Sequence, residues 1–80
     1  MHYVYLLQSQ NVPKHRYVGS SANLRSRLLS HNAGQNPSTA PFRPWLLAAY
    51  FAFPTTSKAL AFESYLKSGS GRTFAKRHLY

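Results

Sequence analysis

The sequence has no cysteine, no aspartate and a single glutamate, Glu63, among its 80 residues. The lack of cysteine excludes disulfides and thiolate metal sites. A single carboxylate excludes Asp-dependent triads, two-carboxylate hydrolases and two-metal centres, which need several acids to hold ions about 4 Å apart. No apolar run approaches about 20 residues, and residues 1–7 lack the basic start of a signal peptide. We therefore expect one small cytoplasmic domain over residues 1–80, with no membrane span.

Positive charge dominates what is present. Ten Lys and Arg residues against one acid give a formal net charge of +9 and a pI near 10.5. Such an excess attracts polyanions, nucleic acid first and anionic membranes second. Because the cations are spread along the chain, they predict a basic folded surface and not a disordered basic tail. The alternative interpretation is a solubility bias on an ordinary domain.

Three stretches of the chain have the composition of β-strands. Tyr3–Leu7 is rich in aromatic and branched residues. Arg16–Val18 follows a polar, proline-containing loop and predicts a second strand, antiparallel to the first, that breaks at Gly19. Trp45–Phe53 is almost entirely apolar and is bounded by prolines, which favours a buried central strand over a buried helix.

The first helix is expected to begin near Asn23 and to end at Gly34, a residue suited to the left-handed stop of a helix. Helical spacing places Leu24 and Leu28 on one buried stripe.

Two further helices complete the prediction. We expect them over Lys58–Lys67 and over Phe74–His78, the last one capped by Thr73 and packing Phe74 inward. The resulting order β-β-α-β-α-α predicts an α/β protein of the α+β type: a three-stranded, mostly antiparallel sheet flanked by helices.

The segment between the second strand and the first helix is the best candidate for chemistry. Gly19 allows close approach of another part of the chain, and the helix start that follows offers free N–H groups that suit a phosphate. Arg27 and His31 are four residues apart and therefore share one face of the helix. A cation and a titratable imidazole thus lie beside an anion-binding turn.

Glu63 is placed at the edge of the inward face of its helix, four residues after Ala59 and three before Leu66. A carboxylate at a partly buried edge is costly unless a cation or a metal offsets its charge. A structural ion pair with a nearby Lys or Arg is the alternative to a functional role. If the protein is a metal-dependent nuclease, one carboxylate restricts it to one divalent ion, held by Glu63, water and the substrate phosphate.

Four features in a fixed order resemble the GIY-YIG nuclease family, and most closely its small stand-alone bacterial members. They are Tyr3-Val4-Tyr5, Tyr17-Val18-Gly19, Arg27 within Tyr-Val-Gly-Ser-Ser-x-Asn-Leu-x-x-Arg-Leu-x-x-His-Asn, and Glu63 within Ala-x-x-x-Glu-x-x-Leu-Lys. The resemblance covers Tyr3 to about Leu79. It implies a three-stranded sheet flanked by helices and hydrolysis of DNA phosphodiesters with one Mg²⁺ or Mn²⁺ ion.

The resemblance also implies roles for five residues. Glu63 would bind the metal, and Arg27 would hold the non-bridging phosphate oxygens. Tyr17 would orient the attacking water or a phosphate oxygen. Tyr5, His31 or Tyr17 would take the proton as the general base, and the sequence leaves the choice among these three open.

Further substrate contacts are expected from residues around this motif, although the sequence departs from the family at Tyr3-Val4, which replaces Gly-Ile, at Ser20 and after Asn36. Ser20 stands where some members have lysine, and no Asn follows Asn36, so Lys67, Ser70 or Arg72 could take the place of the late phosphate-contacting Asn. The expected substrate-binding residues are Gly19, Ser20, Arg25, Lys67 and Arg72.

The absence of a separate recognition domain favours single-stranded or branched DNA over a specific duplex site. Two alternatives are a non-catalytic nucleic-acid-binding module on the same fold and a metal-independent RNase with two histidines.

Overall fold

The computed structural model describes all of residues 1–80 and confirms the predicted order of elements and the fold class. A three-residue 3₁₀ turn, Ala40–Phe42, precedes the third strand. The strands and helices are β1 His2–Ser9, β2 Arg16–Ser21, α1 Leu24–Asn32, β3 Trp45–Phe53, α2 Thr56–Lys67 and α3 Gly69–His78.

The sheet has the order β2-β1-β3, and both outer strands are antiparallel to β1. The prediction of β3 as the central strand is therefore wrong: β1 is central and β3 is an edge. In β3, Leu46 and Tyr50 are 52% and 54% exposed. An apolar composition did not reveal this position, because it does not distinguish a central strand from an edge strand whose outer side chains remain exposed.

The two faces of the sheet carry separate hydrophobic clusters, since successive side chains of a strand point to opposite faces. Below the sheet, Val4 and Leu6 of β1 pack against α2 and α3. Above it, Tyr5 and Leu7 pack with Trp45 and with half-buried side chains of α1. Neighbouring residues of β1 therefore contribute to different cores, and Tyr5 lies on the face that α1 covers.

The first helix begins and ends close to the predicted positions. The Oδ1 of Asn23 accepts a hydrogen bond from the Ser26 N–H at 3.0 Å, which caps the helix. Gly34 follows the helix with φ of +78°, as its predicted stop requires. The predicted Leu24 and Leu28 stripe is only half-buried.

The last helix is longer than predicted. It begins at Gly69, and its cap is Ser68, whose hydroxyl accepts the Gly71 N–H at 3.2 Å; Thr73 lies inside the helix and caps nothing. A Cβ at Gly71 would collide with the backbone carbonyl of Tyr65, so this glycine serves the close contact of α3 with α2 and does not end a helix. Phe74 is 37% exposed, and the neighbouring Ala75 takes the inward position.

None of the helices is both long enough and apolar enough to span a bilayer.

Candidate active site

Gly19 leaves room for two tyrosine rings. It lies inside β2, directly opposite Tyr5, so the strand does not break there as predicted. A Cβ on Gly19 would lie 2.5 Å from the Tyr5 hydroxyl oxygen and 2.8 Å from Cε2 of Tyr17. Its φ is not positive. The close approach expected of Gly19 is therefore confirmed, and the approaching group is the Tyr5 side chain.

Tyr5 is hydrogen-bonded to His31 in the interior. The distance from the Tyr5 hydroxyl oxygen to Nε2 of His31 is 3.0 Å, and each residue is only 1% exposed. The Tyr17 ring lies beside both, with its centroid 4.9 Å from that of His31 and 6.2 Å from that of Tyr5. Burial, together with the charge of Tyr17, raises the pKa of Tyr5 to about 12, so Tyr5 is a neutral phenol at neutral pH.

His31 is oriented by Thr39. The Thr39 hydroxyl oxygen is 2.8 Å from Nδ1 of His31, and Thr39 is also fully buried. We assign the Thr39 hydroxyl proton to the Asn36 carbonyl, 3.4 Å away, so that the hydroxyl oxygen accepts from Nδ1–H. The Trp45 indole N–H donates to the Thr39 carbonyl at 2.9 Å and fixes the segment. Nε2 of His31 is then the acceptor for the Tyr5 hydroxyl.

His31 is neutral at physiological pH. Burial lowers its pKa below the ordinary value of 6.5, and the charge of Arg27 lowers it further. A neutral imidazole whose Nε2 accepts the hydrogen bond of the Tyr5 hydroxyl can take up that proton.

Arg27 reaches the same phenol from the exposed flank of α1. Its charge and a hydrogen bond from it lower the pKa of Tyr5 and offset part of the rise caused by burial. The predicted pairing of Arg27 and His31 on one helix face is thus observed. One residue is exposed and the other is buried, and both meet Tyr5.

Glu63 approaches from α2. Its side chain is 17% exposed and its Oε2 accepts a hydrogen bond from the Lys67 ammonium at 2.8 Å. Burial raises the pKa of Glu63, but hydrogen bonds from Lys67 and Ser20 and the charges of Lys67 and His2 lower it more, so the net pKa lies below its usual value. The charge of Glu63 raises the pKa of Tyr5, which places both groups in one electrostatic environment.

A single divalent ion fits the donor groups at Glu63. Glu63 is the only carboxylate side chain of the protein. No group of three His, Asp or Glu side chains comes together that could hold a metal ion. The Ser20 hydroxyl beside it is a second oxygen donor. Mg²⁺ is commonly held by one or two carboxylates, with waters and substrate phosphate completing its octahedron. A single carboxylate beside a hydroxyl suits that mode and does not suit a metal held by protein ligands alone.

The predicted substrate-binding residues do not all lie together. Ser20 adjoins Glu63, and Lys67 and Arg72 line a groove that includes Tyr17. Arg25 instead lines a separate hollow on the α1 side of the sheet, with Tyr3 and Tyr50.

Sequence reasoning missed Thr39, because it lies in a proline-rich loop with no periodicity or motif. The neighbouring Asn32, whose Oδ1 accepts the Trp45 N–H, holds the start of β3 to the end of α1 and was also missed. Only the motif position of His31 hinted that a partner for its second nitrogen should exist.

Comparison with known proteins supplies independent evidence. A family model described as the GIY-YIG catalytic domain matches residues 1–77. The chain is 37% identical over 71 residues to the structure-specific endonuclease subunit SLX1 of Debaryomyces hansenii, and 39% identical over 67 residues to the protein of the same name in Scheffersomyces stipitis. These matches cover 80% and 75% of this chain but 20% of each relative, so the chain spans about a fifth of their length.

A solved structure is also similar. The solution structure of the UPF0213 protein BH0048 from Bacillus halodurans matches with a TM-score of 0.56 and 28% sequence identity, over 95% of this chain and 80% of that one.

Proposed function

The chain belongs to the GIY-YIG family, and we propose that it is an endonuclease that hydrolyses DNA phosphodiester bonds with one divalent metal ion, Mg²⁺ or Mn²⁺, and favours single-stranded or branched DNA. The observation that carries this proposal is the 3.0 Å hydrogen bond between Tyr5 and His31 within reach of Arg27 and Glu63. Two relatives are named endonuclease subunits, which supports the same activity here.

The proton of the attacking water passes through Tyr5 to His31. A phenol with a pKa of about 12 is a poor base if it must first ionise. It can accept a proton from water if it passes its own to Nε2 of His31 in the same step. Thr39 stabilises the imidazolium that forms, because its oxygen holds Nδ1–H. Under this proposal Tyr5 contacts the water and His31 receives the charge.

Arg27 contributes to binding the phosphate. A guanidinium presents several N–H donors in a planar fork that fits phosphate oxygens, and it stabilises the negative charge that grows on them in the transition state. Arg27 is exposed on the substrate side and close to Tyr5, so one phosphate could contact both. Tyr17, beside His31, would orient the water or a phosphate oxygen.

Glu63 and Ser20 are the groups that would hold the metal ion. When bound, the ion polarises the phosphate and stabilises the departing 3′ oxygen. The low pKa of Glu63 keeps its carboxylate ionised at neutral pH, as a metal ligand must be.

The expected products follow from the bond that breaks. The water oxygen forms a new bond to phosphorus, and the bond from phosphorus to the 3′ oxygen breaks. The 3′ oxygen takes up a proton from solvent water, so the ends are a 5′-phosphate and a 3′-hydroxyl. Incubation of labelled single-stranded, branched and duplex DNA with Mg²⁺, Mn²⁺ or EDTA tests the proposal. Cutting that requires an ion and leaves these ends supports it, and cutting in EDTA would refute it.

One observation favours a second candidate function. The Glu63 carboxylate is engaged by Lys67, which is the structural ion pair that the sequence left as an alternative. A non-catalytic nucleic-acid-binding module on the same fold would retain this pair. It predicts DNA binding without cleavage under every ion.

A further inference from the structure

A groove beside the candidate active site contains two of the expected substrate-binding residues, Lys67 and Arg72. It has a volume of about 470 Å³ and lies between β2 and the two C-terminal helices. Val18, Leu66 and Ala75 supply apolar walls. A cavity of this size is in the range that small ligands occupy.

Three cations line this groove, and only one of them has an acidic partner. They are Arg16, Lys67 and Arg72. Because Glu63 is the only acid of the chain and pairs with Lys67, no carboxylate side chain exists that could pair with Arg16 or Arg72. The Arg16 guanidinium instead lies over the Tyr80 ring, 4.2 Å from its centroid. Cations gathered around apolar and aromatic walls suit a ligand that is anionic and has a flat apolar part.

The groove is continuous with the candidate active site. Tyr17 is part of its wall and also packs against His31 at 4.9 Å between ring centroids. Lys67 lines the groove and donates to Glu63 at 2.8 Å. A polyanion that places one phosphate at Arg27 and Glu63 would therefore bring its neighbouring nucleotide to the groove.

We propose that the groove binds one nucleotide of an unpaired DNA strand next to the scissile phosphate. Arg16 and Arg72 contact its phosphate, and the Tyr80 ring together with Val18 and Leu66 forms the wall for its sugar or base. The groove has room for one nucleotide, as an unpaired strand presents it. The inference rests on the proposed endonuclease function and adds the place where the nucleotide next to the scissile phosphate is held.

Binding measured without cleavage tests this assignment. The probe is a fluorescent deoxythymidine strand of about twelve nucleotides, within the range that small single-strand sites cover. Its affinity for the wild-type chain is measured by anisotropy in EDTA at near-physiological salt. The matched variants are Arg72→Ala and Arg77→Ala, which remove the same charge from the same helix, although Arg77 does not line the groove. Arg16→Ala serves as a second groove variant.

We expect Arg72→Ala and Arg16→Ala each to weaken binding by about five- to tenfold and to reduce the salt slope by about one. Arg77→Ala should change affinity by less than about twofold, because Arg77 does not line the groove and acts only through the surface field, which salt screens. Equal losses in Arg72→Ala and Arg77→Ala would overturn the assignment, since they would indicate diffuse attraction by the whole surface.

The failure of this inference can be distinguished from the failure of the proposed function. A selective loss in the groove variants, with no cleavage under Mg²⁺ or Mn²⁺, leaves the groove as a nucleotide site and refutes the nuclease. Metal-dependent cleavage, together with equal losses of affinity in all variants, supports the nuclease and refutes the groove as a nucleotide site. A strand and its duplex that bind equally tightly would refute the selection of unpaired DNA.

Discussion

Tyr5 and His31 are 26 residues apart in the sequence and 3.0 Å apart in the protein, where the phenol oxygen meets Nε2 of the imidazole. Both side chains are buried, and Arg27 reaches the phenol from outside. A proton that moves from the phenol to the imidazole leaves a positive charge on the buried imidazole, so the transfer depends on the phenol taking a proton from water in the same step and on Thr39 holding Nδ1–H. This pair is the part of the site from which the account of catalysis proceeds.

Thr39 should matter for rate although it touches no substrate. Thr39→Val keeps the shape but leaves Nδ1–H of His31 without its acceptor, which favours the tautomer with the proton on Nε2. We expect the cleavage rate to fall by about five- to tenfold, the equivalent of one hydrogen bond of about 1 kcal/mol. The ¹⁵N chemical shifts of the His31 ring should report the change of tautomer.

Thr39→Ser is the control, because it restores the hydroxyl. It should return the rate and the ring shifts close to wild type. A purely structural role for Thr39 would leave the tautomer unchanged in Thr39→Val even if the protein became less stable.

Gly19 should not tolerate a methyl group. In Gly19→Ala the new Cβ would be 2.5 Å from the Tyr5 hydroxyl oxygen, so the ring must shift. We expect a loss of about 1–3 kcal/mol in the free energy of unfolding and a loss of cleavage. Gly69→Ala is the matched control, because a Cβ there meets no atom within 4 Å and its φ is not positive. Chemical denaturation of both variants compares them, and equal stability would contradict the packing that we describe.

The stability of the protein should depend on pH through His31. Its folded pKa lies below the ordinary 6.5, chiefly because burial disfavours the imidazolium. The unfolded chain therefore binds more protons than the folded one as the pH falls from 6.5. The stabilisation is complete above pH 6.5 and decreases below it.

Denaturant unfolding at a series of pH values between about 5 and 8 measures this effect, at pH values where Glu63 remains ionised. The free energy of unfolding should decline below pH 6.5 in wild type and decline less in His31→Gln. An identical slope in both would show that His31 titrates normally in the folded state.

Two arginines on α1 should differ in their contribution to cleavage. Arg27 reaches Tyr5, whereas Arg25 lines the separate hollow with Tyr3 and Tyr50. We expect Arg27→Ala to lower the cleavage rate by about 10²- to 10³-fold, as for loss of a donor to transition-state charge. Arg25→Ala removes the same charge and should lower cleavage only a few-fold, through weaker binding of the DNA. Single-turnover rates at saturating enzyme separate the two effects, and equal rate losses would refute the role of Arg27.

The sequence predicted local features of the fold better than tertiary ones. The Asn23 start and Gly34 stop of α1 depend on short-range chemistry, and both were confirmed. The edge position of β3 depends on which strands pair across the sheet, which the apolar content of one strand does not encode. The early start of α3 depends on Gly71, whose close contact with α2 exists only after folding.

In the candidate site, too, the sequence predicted the features that depend on local spacing and missed those that depend on the tertiary fold. Spacing alone placed Arg27 and His31 on one helix face, and the motif identified Tyr5, Tyr17 and Glu63 as their companions. Thr39 could not be found in this way, because its contact with His31 requires the path of the loop after α1. Arg25 was predicted to contact substrate from the same motif run, yet helical rotation directs it to a different hollow.

The most direct test of the nuclease is the single-turnover cleavage of single-stranded DNA in Mg²⁺ by wild type and by Glu63→Gln, with the affinity of both for the same strand measured in EDTA. Glu63→Gln keeps the size of the side chain and removes the only negative charge that could hold the ion. We predict cleavage by wild type, no detectable cleavage by the variant, and DNA binding by both. Cleavage by Glu63→Gln at the wild-type rate would contradict the one-metal site, and binding without cleavage by wild type would identify the protein as a binding module.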